Sequence, residues 1–400
     1  MTNTTTGTQD DQNQEPPRPD INAGLAYWNS VAQQDITNNG VLGGQLTVRI
    51  LILVSCMGPH GFGNGVSNLF FPILPRVDAM GSRMFLLTIR PELSKIKPPY
   101  QQTSHPPTQS TESQKSGRTG RRYYRALDVG AGIGRVTADV LLYLFDRIDL
   151  VEPVAGFIET GKRNASNGKW AQLTQDATPI NDPLELSSQS PPPSKAVRFW
   201  KKSIQAFEPS EAIVHLSSPS APIIMISDSC SIVGPKDGWN DGCGYDVIWA
   251  QWTLGHLSDE ELVDFLKKCK ESLRPAGRCL QTSSSTSSDS DPPELDDDDD
   301  DSRNLQARAD EKNHDEEVSV LAPPTFERDG GLIIIKENIF VSQSDPDGDN
   351  FLFDKEDSSL TRSHQSFLRI FHQAGLRLIK QEIQRGFDPD LYRVNFYALQ

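Results

Sequence analysis

Two short segments of the chain combine residue types that suit ligand binding and proton transfer. The first, Ala126–Arg135, reads Ala-Leu-Asp-Val-Gly-Ala-Gly-Ile-Gly-Arg, an apolar run followed by spaced glycines. The second, Asp246–Asp259, carries Gln251, Trp252 and His256 after another apolar run. Ligands of open α/β sheets bind in the crevice at the carboxyl ends of the strands. The two segments therefore predict a cofactor and a substrate that meet at such an edge.

The glycine segment indicates a nucleoside cofactor, and its details favour S-adenosylmethionine (SAM) over a dinucleotide. Gly130, Gly132 and Gly134 allow sharp turns and a close approach of the backbone to a ligand. The dinucleotide fingerprint G-x-G-x-x-G requires glycine where this chain has Arg135. Glu152 ends the next predicted strand, at the distance where an acidic residue pairs with ribose hydroxyls. We expect SAM here, with Glu152 on its ribose.

The region after about residue 122 predicts alternating strands and helices that would position these segments. Apolar runs predict strands at 126–129, 148–152, 197–200, 245–251 and 331–337. Ser258 and Glu261 predict a capping box that opens a helix. Two further strands, 376–384 and 392–399, are predicted to form a closing hairpin. The pattern predicts an α/β fold with a mostly parallel, Rossmann-like sheet and an antiparallel C-terminal hairpin, as in SAM-dependent methyltransferases.

Composition limits the classes of partner. The 400 residues carry a formal net charge of -15, which disfavours a nucleic-acid binder because phosphate contacts require Lys and Arg. The acidic balance suits a cationic peptide, although the run Asp296–Asp301 accounts for part of it. The five cysteines lack C-x-x-C spacing, so neither a disulfide framework nor a metal cluster is expected. The polar start of the chain lacks a signal-peptide core. We expect a cytoplasmic protein, with the nucleus as a second compartment.

Composition also divides the chain into segments. Residues 1–19 predict a disordered tail, 20–96 an N-terminal helical lid region, 97–121 a linker and 122–400 the SAM-dependent methyltransferase domain. Insertions in that domain are expected at about 175–193, 209–244 and 281–329, of which the second is semi-apolar and the third is rich in Ser, Asp and Glu. The last of these lies between a helix end at 272–277 and the strand at 331–337. We therefore interpret it as a loop added to an ordinary helix-to-strand turn.

The stretch of residues 45–71 is atypical. An apolar run interrupted by Arg49 precedes a glycine-rich part that ends in Leu69-Phe-Phe-Pro72. The run is too short to predict a membrane span. Our hypothesis is that the stretch is an intron retained in the gene model, and peptides covering 54–71 in the native protein would contradict it.

Further short motifs accompany the two segments in a consistent order. They are Tyr27-Trp28, Val41-Leu-Gly-Gly44, Val77-Asp78, Gly81-Ser-Arg83, Ile204-Gln205, Ser272-Leu-Arg-Pro275, Ile334-Ile-Lys-Glu-Asn338, Asp354 with Asp357-Ser-Ser359, and Tyr392. The block Trp-x-Gln-Trp-x-x-Gly-His and the late Lys-Glu-Asn are the most specific. With these motifs the chain resembles the eukaryotic protein α-N-terminal methyltransferases, a family that acts on N-terminal Xaa-Pro-Lys peptides.

The resemblance implies SAM-dependent methylation of the α-amino group of protein N-termini, with a preference for Xaa-Pro-Lys after removal of Met. It implies protein substrates, no direct contact with nucleic acid or membrane, and a monomer. An α-amine has a reference pKa of about 7.7–8.0, so a proton acceptor is needed at neutral pH. By resemblance, His256 and Asp357 are the candidate bases and Asn338 orients the amine.

The resemblance also assigns binding residues. For the cofactor they are Gly130, Gly132, Gly134, Arg135 on the SAM carboxylate, Glu152, Ile204 and Gln205 beside the adenine, and Gln251. For the peptide they are Trp28 and Leu42 in a lid, Trp252 against the proline, Asp354, Asp357 and Ser359 for the lysine, and Tyr392 for the backbone.

Without the resemblance, two other function classes stay open. A SAM methyltransferase for a small metabolite would use the same glycine segment without needing the carboxylates of Asp354 and Asp357. A catalytically inactive SAM-fold scaffold would use the insertions as interaction arms. From the residues alone, His256 is a hydrogen-bonded loop residue and Asp357 a surface charge or helix cap, and a structural turn is the alternative for Asn338. The presence of Glu152, Gln251, His256, Asn338 and Asp357 argues against loss of activity.

Overall fold

The structure, a computed structural model, contains most strands of its main sheet where the apolar runs predict them. It describes residues 4–6, 16–34, 36, 74–94, 123–174, 195–214, 230–236, 239, 243–276 and 330–400. The strands are β1 (Thr4–Thr6), β2 (Arg125–Val129), β3 (Arg147–Val151), β4 (Ala196–Trp200), β5 (Cys230–Val233), β6 (Val247–Gln251), β7 (Leu332–Ile339), β8 (Phe351–Asp354), β9 (Ser359–Arg362), β10 (Leu378–Ile383) and β11 (Arg393–Leu399).

The main sheet has the strand order β10-β11-β7-β6-β2-β3-β4-β5. Its central strands β7, β6, β2, β3 and β4 are parallel, whereas β5, β10 and β11 pair antiparallel with their neighbours. The predicted mostly parallel sheet with an antiparallel C-terminal hairpin is confirmed. From β2 the chain moves outward to β3 and β4, and it returns to β6 on the other side of β2. This reversal creates a crevice at the carboxyl ends of β2 and β6.

The helices are α1 (Ile21–Gln34), α2 (Leu74–Ile89), α3 (residues 135–144, π-helical over Thr137–Leu141), α4 (Ala155–Ser166), α5 (Ala171–Thr174), α6 (Pro209–Val214), α7 (Asp259–Glu271) and α8 (His364–Gln373). The predicted capping box opens α7. The Glu261 N–H donates to Ser258 Oγ at 3.2 Å, and the Ser258 N–H donates to Glu261 Oε2 at 2.9 Å. These bonds satisfy two N–H groups that the first turn of a helix leaves without partners.

Apolar side chains cover both faces of the main sheet. Successive residues of a strand point to opposite faces, and in β6 Ile248 belongs to the core cluster of one face while Trp249 belongs to that of the other. Leu262 of α7 and Phe367 of α8 lie in the first cluster, and Phe85 of α2 lies in the second. The parallel strands are therefore buried on both sides, which explains their continuous apolar runs.

A smaller sheet with the order β1-β8-β9 stands beside the main one. Its strands β8 and β9 form a hairpin, in which Asp354 pairs with Ser359. The sequence analysis did not predict these strands, because they are short and mix apolar with charged residues. The hairpin carries the predicted acidic residues Asp354, at the end of β8, and Asp357, on the connection to β9.

Several predictions concern residues outside those described, namely 45–71, 97–121, 175–193, 281–329 and Leu42. Within 209–244 the structure describes α6 and β5.

No helix among the described residues is long and apolar enough to span a membrane. Nor do those residues contain a group of His, Cys, Asp and Glu that could hold a metal ion. Cys230 and Cys269 are free thiols, whereas Cys243 is disulfide-bonded.

A buried carboxylate in β3 joins neighbouring elements of the main sheet. Asp149 is fully buried and pairs with Arg198 at 2.6 Å and with Arg125 at 2.9 Å. Trp200 Nε1 and the Tyr245 hydroxyl also donate to it, at 2.8 and 2.9 Å. Burial alone would raise the pKa of Asp149, but the charges of Arg198 and Arg125 outweigh burial and lower it to about 2. The cluster connects β2, β3 and β4 with the segment that leads into β6.

We expect Asp149→Asn to lower the free energy of unfolding by about 3–5 kcal/mol, because it leaves buried guanidinium groups without their counter-charge. The pKa of Asp149 is depressed in the folded state, so its contribution is present above the unfolded value of about 3.9 and is lost as the pH falls towards 2. The wild type should therefore lose more stability than the variant between about pH 4 and pH 2. Urea titrations at each pH measure both effects.

The matched control is Asp264→Asn, which removes an exposed carboxylate that lies 3.6 Å from Lys267. Exposed pairs contribute about 0–1 kcal/mol, so this variant should unfold almost as the wild type does. Equal effects of the two substitutions would contradict the structural role of Asp149.

Candidate active site

A cavity of about 1020 Å³, its open mouth included, lies at the carboxyl ends of β2 and β6. The predicted site residues that line it are Trp28, Gly130, Gly132, Arg135, Glu152, Ile204, Gln205, Gln251, Trp252 and His256. The predicted residues that do not line it are Gly134, Asn338, Asp354, Asp357, Ser359 and Tyr392. The cavity thus gathers most of the cofactor candidates with one candidate base, and the acidic residues lie outside it on the β8–β9 hairpin.

The glycine loop after β2 needs its glycines for both conformation and space. Gly130, Gly132 and Gly134 have φ values of +63°, +57° and +81°, in the left-handed region that other residues rarely adopt. A Cβ at Gly130 would lie 2.0 Å from Thr253 Oγ1, and one at Gly134 would lie 2.6 Å from the Trp170 ring. The loop after β2 therefore touches the loop after β6, and its backbone forms the cavity wall without side chains in the way.

Two buried carboxyl groups face this cavity. Glu152 Oε2 accepts a hydrogen bond from the Gly132 N–H at 2.8 Å, and Oε1 accepts one from the Val154 N–H at 2.7 Å. Burial raises the pKa of Glu152 to about 7, against the effect of these bonds. Burial likewise raises the pKa of Asp128 to about 7, although the Thr137 hydroxyl donates to it at 2.6 Å. Each carboxyl oxygen of Glu152 has a second lone pair that can accept a ribose hydroxyl.

Asp78 of α2 orients the polar side chains at the other end of the cavity. This fully buried carboxylate pairs with Arg135 Nη1 at 2.6 Å and accepts a hydrogen bond from Gln251 Nε2 at 3.0 Å. It also pairs with buried Lys336 of β7. Burial would raise the pKa of Asp78, but the charges of Arg135 and Lys336 keep it below its ordinary value. Sequence analysis recorded Asp78 only as part of a family motif, because its partners are far along the chain.

The residues of this cavity fit SAM. Gly130 and Gly132 line it with backbone and no side chain, and Glu152 offers acceptors for ribose hydroxyls. Arg135 lines the cavity and brings a positive charge that suits the carboxylate of the cofactor. Ile204 and Phe157 give apolar surface for a purine. Charge, shape and polarity therefore match the parts of this cofactor.

The loop after β6 carries Trp252 and His256 into the cavity. Trp252 has a φ of +53°, a conformation that costs a non-glycine residue about 1–3 kcal/mol. Its indole Nε1 is buried and has no hydrogen-bond partner among the described residues. A single 3₁₀ turn, Leu254–His256, then places the imidazole. The strained backbone aims both rings at the space beside the glycine loop.

His256 is held by α1, which covers the cavity. The Trp28 indole N–H donates to His256 Nε2 at 3.0 Å, so the ring proton of the neutral imidazole lies on Nδ1. Burial lowers the pKa of His256, although a backbone hydrogen bond with Ser358 raises it. The predicted base is therefore neutral in this arrangement, and the lone pair that would accept a proton is occupied by Trp28.

The β8–β9 hairpin brings the second predicted base to the same helix. Asp357 is buried and accepts a hydrogen bond from the Ser359 hydroxyl at 2.6 Å. Burial raises the pKa of Asp357 to about 6, and the charges of Asp354 and Glu356 add to this effect. Burial and the same acidic groups also raise the pKa of Tyr27 to about 12. An acidic surface thus faces the start of α1.

Asn338 and Tyr392 lie on the neighbouring strands of the main sheet. Asn338 is half-buried in β7, and its backbone pairs with Val394 of β11, two residues after half-buried Tyr392. The structure therefore places these two predicted residues near each other at one edge, while their contacts with a substrate stay predictions.

Comparison with known proteins identifies relatives of this chain. The sequence profile described as AdoMet dependent proline di-methyltransferase matches residues 109–210, 230–314 and 325–400. The chain is 26% identical over 274 residues to alpha N-terminal protein methyltransferase 1 of Arabidopsis thaliana, covering 68% of this chain and 58% of that protein. It is 23% identical to the Schizosaccharomyces pombe protein of the same name, covering 94% and 93%. It is 25% identical to N-terminal Xaa-Pro-Lys N-methyltransferase 1 of Xenopus tropicalis, covering 71% and 75%.

The chain thus spans less than two thirds of the length of the plant relative. Among solved structures, a SAM-dependent methyltransferase from Leishmania major is 22% identical, with a TM-score of 0.44 and coverage of 95% of this chain and 82% of that one.

We expect Trp28→Phe to raise the pKa of His256 towards its ordinary value of about 6.5, because it removes the donor to Nε2 and opens the ring to water. The pKa is measured from the imidazole NMR signals across a pH titration, with His256→Asn to identify them. Tyr27→Phe is the control, since it changes the neighbouring aromatic residue of the same helix and keeps the indole. An unchanged pKa in Trp28→Phe, or an equal shift in both variants, would contradict this role of Trp28.

Proposed function

The chain belongs to the family of AdoMet-dependent proline di-methyltransferases, and we propose that it methylates the α-amino group of protein N-termini that begin with Xaa-Pro-Lys. One observation carries the proposal: the cofactor cavity and the acidic hairpin meet at α1. A Cβ at Gly24 would lie 3.2 Å from the Asp357 carbonyl oxygen and 3.3 Å from His256 Nδ1. In the proposal the peptide terminus enters beside α1, where His256 lines the cofactor cavity and Asp357 of the hairpin packs against the same helix through its backbone.

The family is AdoMet-dependent, and the cofactor supplies a methyl group activated by a sulfonium. In the proposal, Arg135 holds the carboxylate of the cofactor and Glu152 holds its ribose. The glycine loop lets the backbone approach without Cβ atoms in the way. These contacts fix the position of the cofactor, and such positioning is worth several kcal/mol of barrier in well-aligned reactions, on the order of 7 or more.

In the proposal, the residues around the peptide amine accept its proton and orient its nitrogen. A terminal ammonium has a reference pKa of about 7.7–8.0, whereas the pKa of Asp357 is about 6. Asp357 is therefore ionised at pH 7.5 and can accept the proton, and a general base of this kind contributes about 10²–10⁴-fold in rate. His256 accepts a proton only once Trp28 leaves Nε2. Asn338 orients the amine through its side-chain carbonyl oxygen.

The hairpin also supplies a binding site for the third residue of the peptide. Asp354 is half-buried at the end of β8, and its charge acts on Tyr27 together with those of Glu356 and Asp357. A lysine side chain placed there meets several carboxylates at once. Trp252 offers an indole face in the cavity for the proline at the second position.

The test is mass spectrometry of a Ser-Pro-Lys peptide incubated with the purified chain and SAM, beside its N-acetylated twin. We expect additions of about 14 Da per methyl on the free peptide alone, because acetylation turns the amine into an amide whose nitrogen lone pair is delocalised and not nucleophilic. A Ser-Pro-Gln peptide should react with a KM about tenfold higher, a difference of about 1.4 kcal/mol from the lost ionic contacts.

Asp354→Asn is the matched variant for the lysine site. It should raise the KM of the Ser-Pro-Lys peptide and leave that of the Ser-Pro-Gln peptide almost unchanged. Methylation of the acetylated twin, or no methylation of any peptide while SAM still binds, would refute the proposed activity.

A further inference from the structure

Two buried charges hold the turn that carries His256, and neither has a role in the mechanism above. The first is Glu337 of β7, which is 7% exposed. Its Oε1 accepts hydrogen bonds from the N–H groups of Thr253 at 2.9 Å and Leu254 at 3.0 Å. One carboxyl oxygen therefore holds both N–H groups at the start of the turn.

The second charge is Arg362 at the end of β9, which is 2% exposed. It donates from Nη1 to the Leu254 carbonyl oxygen at 3.1 Å and from Nη2 to the Leu257 carbonyl oxygen at 2.6 Å. Its Nε donates to Asp259 Oδ1 at 2.9 Å. Arg362 thus fixes the carbonyl groups of the same turn and ties them to the start of α7.

The turn has weak internal support, since its own backbone hydrogen bonds, from His256 N–H to Thr253 and from Leu257 N–H to Leu254, are both 3.3 Å long. It follows a residue in a left-handed conformation, Trp252, and consists of a single 3₁₀ turn. Isolated turns of this kind have poor internal hydrogen-bond geometry. The hairpin also packs closely on the turn, since a Cβ at Gly255 would lie 2.8 Å from the Leu360 carbonyl oxygen. A change in either charge therefore acts directly on the placement of Trp252 and His256.

The positions of the two charges in the chain connect the elements that carry the candidate catalytic residues. Glu337 directly precedes Asn338 in β7, and Arg362 lies in the strand that follows Asp357. The Glu337 carboxylate and the Arg362 guanidinium both contact the turn of His256. They thus connect that turn with β7, which carries Asn338, and with the β8–β9 hairpin, which carries Asp357.

We propose that Glu337 and Arg362 are positioning residues that set His256 and Trp252 relative to Asn338 and Asp357. They act through the backbone of the turn and do not touch the substrate. This inference rests on the proposed function for its kinetic consequences, while its structural part can be measured without any turnover.

The hydrogen bonds of Glu337 allow two substitutions that should affect the turn differently. Burial raises the pKa of Glu337 to about 7, against the backbone hydrogen bonds from Leu254, Thr253 and Asn338 and the charge of Arg362. The Thr253 and Leu254 N–H groups donate to the same oxygen, so an amide, with one carbonyl oxygen, can accept both. Glu337→Gln should keep the geometry of the turn, whereas Glu337→Ala should lose it.

The kinetic experiment compares these two variants with the wild type on a Ser-Pro-Lys peptide. We expect Glu337→Ala to lower kcat about 10–100-fold, because a displacement of about 1 Å of a reacting group can cost on the order of 10²-fold in rate. The KM for SAM should change less than kcat does, because the turn meets the cofactor cradle at its edge, through Thr253 against Gly130 and the His256 carbonyl oxygen against Gln205. Glu337→Gln should stay within about threefold of the wild type in kcat. Unchanged kcat in Glu337→Ala, or an equal loss in both variants, would overturn the inference.

A second measurement keeps the inference separate from the proposed function and from folding. The pKa of His256, followed by NMR, should move towards about 6.5 in Glu337→Ala and stay at the wild-type value in Glu337→Gln. If Glu337→Ala does not fold, Arg362→Lys serves instead, since it keeps the charge and cannot make all the contacts of the guanidinium. A wild type that is inactive on the peptide refutes the proposed function alone, and a His256 pKa unaffected by Glu337→Ala or Arg362→Lys overturns the positioning role.

Discussion

The close contact between the loops after β2 and β6 is the constraint on which the site depends. The position of a Cβ at Gly130 lies 2.0 Å from Thr253 Oγ1, so the glycine loop and the loop of Trp252 and His256 are in direct contact. The contact exists because β2 and β6 are adjacent parallel strands at the point where the strand order reverses. A cofactor on one loop and an acceptor at the other are thereby brought together without any further element between them.

Buried charged residues orient the side chains and the backbone on both sides of this contact. Asp78 orients Arg135 and Gln251 from one side, and Glu337 with Arg362 holds the turn of His256 from the other. Burying charges is costly, and such groups are weak evidence for stability. Their shared feature here is that each fixes a residue or a backbone segment that lines the cavity. The N-terminal helices take part in the same way, since α2 supplies Asp78 and α1 supplies Trp28.

Sequence reasoning could predict the main sheet because its strands are continuous apolar runs and its first loop has spaced glycines. The capping box of Ser258 and Glu261 could equally be predicted, since both of its hydrogen bonds join residues three positions apart. The hairpin β8–β9 was not predicted, because four-residue strands that contain Asp354 and Arg362 resemble surface loops. Asp78 and Glu337 also escaped notice as structural residues. The sequence does not distinguish a buried charged residue from an exposed one, and the partner of Asp78 in β7 lies 258 positions away. The candidate roles of Asp357 and Asn338 came from resemblance, as nothing local distinguishes them.

The most direct measurement is a crystal structure of the chain with S-adenosylhomocysteine and a Ser-Pro-Lys peptide. The account predicts the product cofactor in the glycine cradle and the peptide amine beside the turn of His256. The amine nitrogen should lie within about 2.7–3.2 Å of the Asp357 carboxylate or the Asn338 side-chain oxygen, with the lysine on the acidic hairpin. A peptide bound with its amine away from the contact between the two loops would contradict the account.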